Sequence, residues 1–114
     1  MSRFRAVRQD SSSSTVGDAP DSSHEPGVTV VIPCLNERTT IAEAVVQAKA
    51  AFADWPGGVE VVVADNGSTD GSAELARAMG ARVVPARERG YGAALQAGFA
   101  AARAPYIEIG RAHV

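Results

Sequence analysis

The sequence has little cysteine, no long hydrophobic run and no excess of positive charge. Its single cysteine, Cys34, cannot form a disulfide within the chain and favours a reducing compartment. No apolar segment approaches the roughly 20 residues that a membrane-spanning helix needs. The formal net charge is -2, whereas domains that bind nucleic acid usually carry a basic face. These absences predict a chain without internal disulfides, transmembrane segments or a nucleic-acid partner.

What is present is the composition of a small globular domain. The 114 residues are 46% hydrophobic and 21% charged, values that are ordinary for soluble proteins. The first 27 residues differ from the rest, because serine, glycine and proline are interleaved there with acidic residues. Such a segment cannot bury enough apolar surface to offset an ordering cost of about 1 to 2 kcal/mol per residue. We therefore predict a disordered tail over residues 1–27.

A strand that ends in a polar turn lies near the middle of the chain. Residues 59–71 read VEVVVADNGSTDG, and the apolar run in this segment stops at Asp65. β-Branched residues without polar alternation are typical of a strand covered on both faces, as in a parallel sheet flanked by helices. Ligands of such sheets bind at the carboxyl ends of the strands, which is the position predicted for Asp65.

Strands and helices are predicted to alternate along the chain from residue 28 onward. The expected strands cover 28–32, 59–64, 82–85 and 106–109. The expected helices cover about 39–52, a segment that starts at 69–72 and runs to 80, and 93–102. Pro33 closes the first strand, Thr39 or Thr40 caps the first helix, and Gly80 ends the second. This order predicts an α/β fold with a mostly parallel sheet, right-handed crossovers and flanking helices.

The same topology brings three polar segments to one edge of the sheet. Segments 34–38, 65–70 and 87–92 each follow a strand and precede a helix, so they emerge together and can line one cleft. A carboxylate there accepts hydrogen bonds from the ring N–H of uracil or from the adjacent N–H groups of guanine. Arginines, glycine amides and helix N-termini favour phosphate. The residues by themselves therefore indicate a nucleotide site and leave the base open.

Three segments resemble the opening half of a known enzyme family. VVIPCLNE (30–37), VVVADNGSTDGS (61–72) and RGYGAALQAG (89–98) are similar to segments of family 2 glycosyltransferases, which have the Rossmann-like GT-A fold. The similarity is greatest to the polyprenyl-phosphate, or dolichol-phosphate, mannosyl- and glucosyltransferases, and it covers about residues 28–107. The resemblance implies an enzyme that transfers a sugar from a UDP- or GDP-linked donor to a polyprenyl phosphate or another acceptor.

The resemblance also assigns residues to a nucleotide-sugar site. In the family, the first of these loops and the acidic turn hold the base and the ribose, which makes Asp65 the base-binding carboxylate. Ser68 and Asp70 then shape the turn, and residues 90–93 flank the nucleotide on its third side. The residues carried over to nucleotide-sugar binding are Pro33, Asn36, Glu37, Asp65, Asn66, Ser68, Asp70, Gly90, Tyr91 and Gly92.

One motif of the family is missing from the sequence. After the fourth strand the family carries an Asp-x-Asp motif that binds a Mg or Mn ion at the donor diphosphate, whereas residues 109–114 resemble a sequencing adapter translated in frame. We predict that 28–108 form the nucleotide-binding half of a GT-A domain that is incomplete at its C-terminus. Residues 109–114 are predicted to be non-native read-through. The fragment is expected to be inactive, with no catalytic or metal-binding residue.

Resequencing the locus tests the predicted read-through. Genomic DNA that encodes residues 110–114 and then a stop codon would contradict it. An Asp-x-Asp codon pair in the genomic reading frame would support the transferase.

Several alternatives bear on the function and on individual residues. A dinucleotide-binding dehydrogenase would need Gly-x-Gly-x-x-Gly after the first strand, and that fingerprint is absent. A sugar-nucleotide pyrophosphorylase would need a glycine-rich basic loop there. A non-catalytic nucleotide-binding or regulatory module remains the alternative function. Residues 65–71 could also be a plain turn with a helix cap, and Asn36 with Glu37 an ordinary helix start.

Three further expectations concern single residues and location. Cys34 is predicted to be a packing residue, whereas Arg87 and Arg89 are equally compatible with phosphate binding and with solvation. The resemblance implies a cytoplasmic protein, and it leaves open a position of the intact parent at the inner face of the membrane.

Overall fold

Five short strands form the sheet on which the rest of the chain is arranged. The computed structural model describes residues 5–8 and 25–112. The elements in chain order are β1 (Arg5–Arg8), β2 (Val28–Cys34), α1 (Arg38–Ala51), β3 (Val59–Asp65), α2 (Ser72–Ala78), β4 (Arg82–Pro85), α3 (Tyr91–Ala101) and β5 (Tyr106–Ile109). The strand order is β1-β5-β2-β3-β4. Strands β2 to β5 run parallel and β1 runs antiparallel to β5, which confirms the predicted mostly parallel α/β sheet.

Helices cover both faces of the central strands. The segment Val61 to Ala64 of β3 is at most 2% exposed, as expected for a strand without polar alternation. On one face, alternate residues of β2 and β3 pack against Ile41 and Val45 of α1 and against α2. Val31 of β2 points to the opposite face, where Gly98 of α3 lies against it. The result is a three-layer arrangement with α1 and α2 on one side of the sheet and α3 on the other.

Gly98 allows α3 to approach the sheet closely. A Cβ atom placed on Gly98 would fall well inside van der Waals contact with Cγ1 of Val31, and Val31 is fully buried. No side chain therefore separates helix and strand at this point.

The predicted disordered tail is wrong for two of its segments. Arg5–Arg8 form β1, which pairs with β5 from Arg5 opposite Ile109 to Arg8 opposite Tyr106. Gly27 donates its amide hydrogen to the carbonyl of Gly58. Backbone groups on the free edge of β5 bind a neighbouring strand whatever its side chains are, so composition did not reveal this pairing. The rest of the predicted tail lies outside the described residues.

Strand β2 continues through Pro33 to Cys34, two residues beyond its predicted end. The Val31 carbonyl accepts the amide hydrogen of Gly110, so backbone groups at odd positions of β2 face β5. Pairing with β5 stops at Val31. The nitrogen of Pro33 therefore faces a side where no strand requires its missing hydrogen.

Two helix starts also differ from the prediction. Helix α1 begins at Arg38 with Glu37 as its cap residue, and neither threonine is the cap. Helix α3 begins at Tyr91 instead of residue 93. The end of α2 was predicted correctly, since Gly80 follows it in the left-handed conformation with φ 99°.

A polar network ties the sheet together near the amino ends of β2 and β3. The carboxylate of Glu60 accepts hydrogen bonds from the Thr29 hydroxyl (2.7 Å), the Arg103 amide (2.9 Å) and the Arg82 guanidinium (3.0 Å). Thr29 is fully buried, and its hydroxyl oxygen accepts from the Ala104 amide. Burial alone would raise the pKa of Glu60, but the hydrogen bonds from Thr29, Arg103 and Arg82 outweigh it and hold that pKa below its usual range.

The C-terminal end of the described chain packs against the sheet. Ile109 is the last residue of β5, and Ala112 is buried in the cluster between α1 and the sheet. These contacts do not bear on the origin of residues 109–114, which stays a prediction, and 113–114 lie outside the described residues. Within the described ranges, no helix combines the length and apolarity needed to cross a membrane.

Candidate functional site

Three loops at the carboxyl edge of the sheet enclose an open cleft of about 470 Å³. We call 35–37 the first loop, 66–71 the second loop and 86–90 the third loop. They follow β2, β3 and β4, and each precedes a helix. The cleft is lined by Pro33, Cys34, Leu35, Asn36, Glu37, Asn66, Gly67, Arg89, Gly90, Tyr91 and Ala94. The convergence of three strand-to-helix loops predicted from the sequence is therefore present.

Asn36 joins the first loop to the second. Its backbone amide donates to the hydroxyl of Ser68 (2.8 Å), and its side-chain oxygen accepts from the Thr69 amide (2.8 Å). Asn36 has φ 53° and is the only residue other than glycine with positive φ among those described. Asparagine tolerates this left-handed conformation better than most residues. Its backbone conformation and its side-chain hydrogen bond therefore both help to join the first loop to the second.

The carboxylate of Asp70, in the second loop, lies at the start of α1. It accepts the Arg38 amide hydrogen at 3.1 Å and also accepts hydrogen bonds from the amide and hydroxyl of Ser72. The Ser72 hydroxyl bond is the main reason why the pKa of Asp70 is lowered. The Glu37 amide in turn donates to the Ser72 hydroxyl oxygen at 2.9 Å. At the start of α1, the amides of Glu37 and Arg38 are thus already paired with Ser72 and Asp70.

Asp65 holds the second loop in a tight turn. Its Oδ2 accepts from the amides of Gly67 (3.1 Å) and Ser68 (2.9 Å), and its Oδ1 accepts from the Ser68 hydroxyl (2.6 Å). A carboxylate offers about four lone-pair positions. The turn fills three of them, so one position remains on Oδ1.

Asn66 joins the second loop to the third. Its side-chain nitrogen donates to the carbonyls of Ala86 (3.3 Å) and Glu88 (2.8 Å), and its side-chain oxygen accepts from the Gly90 amide (3.0 Å). The two carbonyls and the amide fix which end of the side chain is nitrogen and which is oxygen. The Asn66 side chain therefore holds the third loop at its first residue, its middle and its last residue.

Large exposed apolar side chains and one arginine also face the cleft. Leu35 is 50% exposed and Tyr91 57%, and both line the cleft together with Arg89. Arg87 is exposed but does not line it, so only one of the two arginines left open by the sequence lies at the cleft. An aliphatic side chain, an aromatic ring and a guanidinium around a polar cleft suit a ligand with a planar ring and negative charge.

The residues predicted to bind a nucleotide sugar fall into two groups. Those that line the cleft are Pro33, Asn36, Glu37, Asn66, Gly90 and Tyr91. Those that are not among its lining residues are Asp65, Ser68, Asp70 and Gly92. The carboxylates of Asp65 and Asp70 form hydrogen bonds that shape the loops. The binding roles of all ten residues stay predictions.

Ala94 lines the cleft although it lies outside the three predicted segments, whereas Leu35 and Gly67 lie within them but are not among the ten residues carried over to nucleotide-sugar binding. An apolar residue between Cys34 and Asn36 in a polar loop was the available signal for Leu35. Cys34 is buried at 3% exposure, as a packing residue should be. Burial raises the pKa of its thiol, and the opposing hydrogen bond between Cys34 and Ser68 does not cancel the increase.

The described residues form no ready-made site for a divalent cation. No group of three or more histidine, cysteine, aspartate or glutamate side chains within 5–8 and 25–112 could hold a metal ion. Asp65 and Asp70 each accept three hydrogen bonds from protein groups. Their carboxylates therefore stabilise the loops.

Fold and cleft together define a class of protein. A mostly parallel α/β sheet whose ligand cleft lies at the carboxyl ends of its strands is the architecture of nucleotide-binding α/β proteins. The sequence profile of Glycosyl transferase family 2 matches residues 29–109. The chain belongs to this family, and its sheet is that of the GT-A fold.

Curated relatives agree with this family and are much longer than the chain. An uncharacterised glycosyltransferase of Mycobacterium tuberculosis is 42% identical over 82 residues, which are 72% of this chain and 34% of the relative. The low-salt glycan biosynthesis hexosyltransferase Agl6 of Haloferax volcanii is 42% identical over 92 residues, 81% of this chain and 22% of the relative. The chain thus spans about a third or less of the curated relatives it matches.

Solved structures of a mycobacterial enzyme share the fold. Glucosyl-3-phosphoglycerate synthase from Mycobacterium tuberculosis, in complex with Mn²⁺, UDP and glucosyl-3-phosphoglycerate, is 32% identical with a TM-score of 0.64. The match covers 80% of this chain and 35% of that enzyme. Other structures of the same enzyme contain Mn²⁺ with UDP-glucose and phosphoglyceric acid, or Mg²⁺ with UDP. The expected divalent metal of the family is thus confirmed in these relatives.

Proposed function

We propose that this chain forms the nucleotide-binding half of a glycosyltransferase that uses a UDP-linked sugar as its donor. The cleft supports the proposal, since three loops bring an aromatic ring, an arginine and polar groups together at the edge where such sheets bind ligands. Membership of Glycosyl transferase family 2 supports it further. Relatives solved with UDP or UDP-glucose are consistent with the same donor class.

The hydrogen bonding of Asp65 is the observation that favours uridine over guanosine. The edge of guanine presents two adjacent N–H groups, which need an acceptor position on each carboxylate oxygen. Oδ2 of Asp65 already accepts two amide hydrogens. The ring N–H of uracil needs only one acceptor, and Oδ1 retains one position. Asp65 also neighbours the cleft, because it precedes Asn66 and pairs with Cys34, which both line it.

Arg89 is the proposed partner of the diphosphate. It lines the cleft just before α3, where the first helix amides carry partial positive charge. At the start of α1, by contrast, the Arg38 amide already binds the carboxylate of Asp70. Among the described residues, no cluster of three or more histidine, cysteine, aspartate or glutamate side chains is available to hold a metal ion beside the diphosphate. The acceptor remains a proposal, with polyprenyl phosphate implied by the sequence resemblance.

Titration of the chain with UDP, GDP and CDP tests the donor assignment. We expect UDP to bind about 10-fold more tightly than GDP, because guanine would leave a buried N–H group without an acceptor. In Asp65→Asn the amide oxygen must face the amides of Gly67 and Ser68, which places NH₂ at the Oδ1 position. That group repels the ring N–H of uracil but suits the ring nitrogen of cytosine. UDP affinity should therefore fall about 10-fold and the preference for UDP over CDP should shrink.

Asp54→Asn is the matched control for this titration. It removes the same charge at an exposed position in the turn after α1 and should leave all three affinities unchanged. Equal binding of UDP and GDP by the unaltered chain would refute uracil recognition. An unchanged ratio of UDP to CDP affinity in Asp65→Asn would show that Asp65 only shapes the turn.

A nucleotide-binding module without catalysis is the second candidate. The observation that favours it is the commitment of Asp65 and Asp70 to loop hydrogen bonds, which builds a binding surface and leaves neither carboxylate as a free base. The genomic reading frame after the codon for residue 108 separates the two candidates, because the fragment itself is expected to be inactive in both cases. An Asp-x-Asp codon pair there would favour the transferase, and its absence would favour the module.

A further inference from the structure

We propose that Asn66 is a positioning residue, which acts on the nucleotide through Arg89 and Tyr91 instead of contacting it. The inference rests on the proposed function for its ligand. Its structural part, that Asn66 sets the conformation of the third loop, stands on hydrogen bonds alone. The sequence resemblance placed Asn66 among the nucleotide contacts, so the two roles lead to different results.

The hydrogen-bonding capacity of Asn66 is nearly exhausted within the protein. Both donor positions of its amide nitrogen face carbonyls of the third loop, those of Ala86 and Glu88. Its oxygen accepts from the Gly90 amide and keeps one lone-pair position. No N–H group of this side chain is left for a nucleotide oxygen.

Two of these hydrogen bonds hold the backbone on either side of Arg89. The Glu88 carbonyl belongs to the peptide group before Arg89, and the Gly90 amide belongs to the peptide group after it. Both are bound to one side chain, at 2.8 Å and 3.0 Å. The backbone angles of Arg89 are thereby fixed from both sides, so the direction in which its side chain leaves the loop depends on Asn66.

The hydrogen bond between Asn66 and the Gly90 amide also positions Tyr91. Gly90 has φ 110° and ψ 161°, a conformation that is essentially restricted to glycine, and its amide is held by Asn66. Tyr91 follows as the first residue of α3. The loop start is anchored separately, because the Ala86 amide donates to the carbonyl of Asp65. Loss of Asn66 should therefore loosen residues 88–90 while leaving the strand ends paired.

Hydrogen exchange of the full chain tests the structural part without any ligand. In Asn66→Ala, we expect the Gly90 amide to exchange at least about 10-fold faster, because its acceptor is removed. The amides of Val62 and Val63 should exchange at the unaltered rate. Unchanged exchange at Gly90 would overturn the proposal, whatever the result with UDP.

Affinity for UDP tests the functional part through a double-mutant cycle. Introduced alone, Asn66→Ala should weaken UDP binding about 10-fold. Introduced into a variant in which Arg89 and Tyr91 are already alanine, it should weaken UDP binding less than about 3-fold. If Asn66 acts only by positioning Arg89 and Tyr91, its loss has little further effect once both of those side chains are absent. Equal losses in both backgrounds would mean that Asn66 contacts the nucleotide itself, and would overturn the proposal.

Asn66→Asp gives an isosteric test of the same idea. The variant keeps an acceptor for Gly90 but turns a carboxylate oxygen towards the two carbonyls, so faster exchange at Gly90 is expected as for alanine. Glu88→Gln controls for charge, since it alters only an exposed side chain of the third loop, and the double variant restores the net charge. If restoring the charge restored UDP affinity, the effect would be electrostatic and the proposal wrong. If the unaltered chain does not bind UDP, the proposed function fails, while exchange at Gly90 still decides the role of Asn66.

Discussion

Gly98→Ala should lower the free energy of unfolding by about 1 to 3 kcal/mol. The added methyl group would overlap Cγ1 of Val31, which is fully buried in the sheet, so α3 would have to move away from β2. Alanine favours helix over glycine by about 1 kcal/mol, which offsets only part of this cost. The shift of the urea denaturation midpoint, followed by circular dichroism, measures the effect.

Gly92→Ala is the matched control on the same helix. A Cβ atom placed on Gly92 meets nothing within 4 Å, so this variant should be as stable as the unaltered chain or slightly more stable. A similar loss in both variants would show that the cost arises in the helix itself and would contradict the close approach of α3 to the sheet.

Glu60→Gln should lower the free energy of unfolding by about 2 kcal/mol at neutral pH. Glutamine can still accept from Thr29 and from the Arg103 amide, but its NH₂ group then faces Arg82, which at present donates to Oε1 at 3.0 Å. The Glu60 side chain is only 15% exposed, so solvent replaces the lost charge-assisted bond poorly. Urea denaturation at pH 7 measures the loss.

The effect of Glu60→Gln should also depend on pH in a defined direction. The folded-state pKa of Glu60 is lowered relative to about 4.3 in an unfolded chain. Its stabilisation is therefore fully present above the unfolded value and is lost as the pH falls through the folded value. The difference in stability between the unaltered chain and the variant should shrink between about pH 6 and about pH 3.

The difference in stability between the unaltered chain and Glu60→Gln reports on Glu60 alone, because the other titrating groups are the same in both proteins. Asp70 also has a lowered pKa, whereas burial raises the pKa of Glu108, and both contribute equally to the two proteins. Glu43→Gln, at an exposed position of α1 where the carboxylate accepts from Gln47, is the control and should cost little. A difference that stayed constant down to pH 3 would contradict the assigned role of Glu60.

The sheet was predictable because its signals are local. The unbroken valines of β3 and the abrupt change at Asp65 indicate a buried strand and its end without reference to the rest of the chain. Gly80 marks the end of α2 in the same way. Once the alternation of strands and helices is recognised, the position of three loops at one edge follows from topology.

The partners of the loop side chains were not predictable from local patterns. Capping preference indicated a threonine at the start of α1, but Asp70 of the second loop binds the Arg38 amide instead. Asn66 was assigned to a ligand, yet its hydrogen bonds go to residues 20 to 24 positions further along the chain. Such pairings depend on the distance between loops in the folded protein, which no local pattern contains.

The pairing of β1 with β5 has a consequence for the order of folding. The two strands lie almost a full chain length apart, with Arg5 opposite Ile109, so their association closes a very large loop at a high cost in chain entropy. We expect contacts between residues so distant in sequence to form late, after the helices and the β2–β3 pair have brought β5 into place. During synthesis β1 leaves the ribosome before every other strand described here, and we expect it to be the last of them to find its partner.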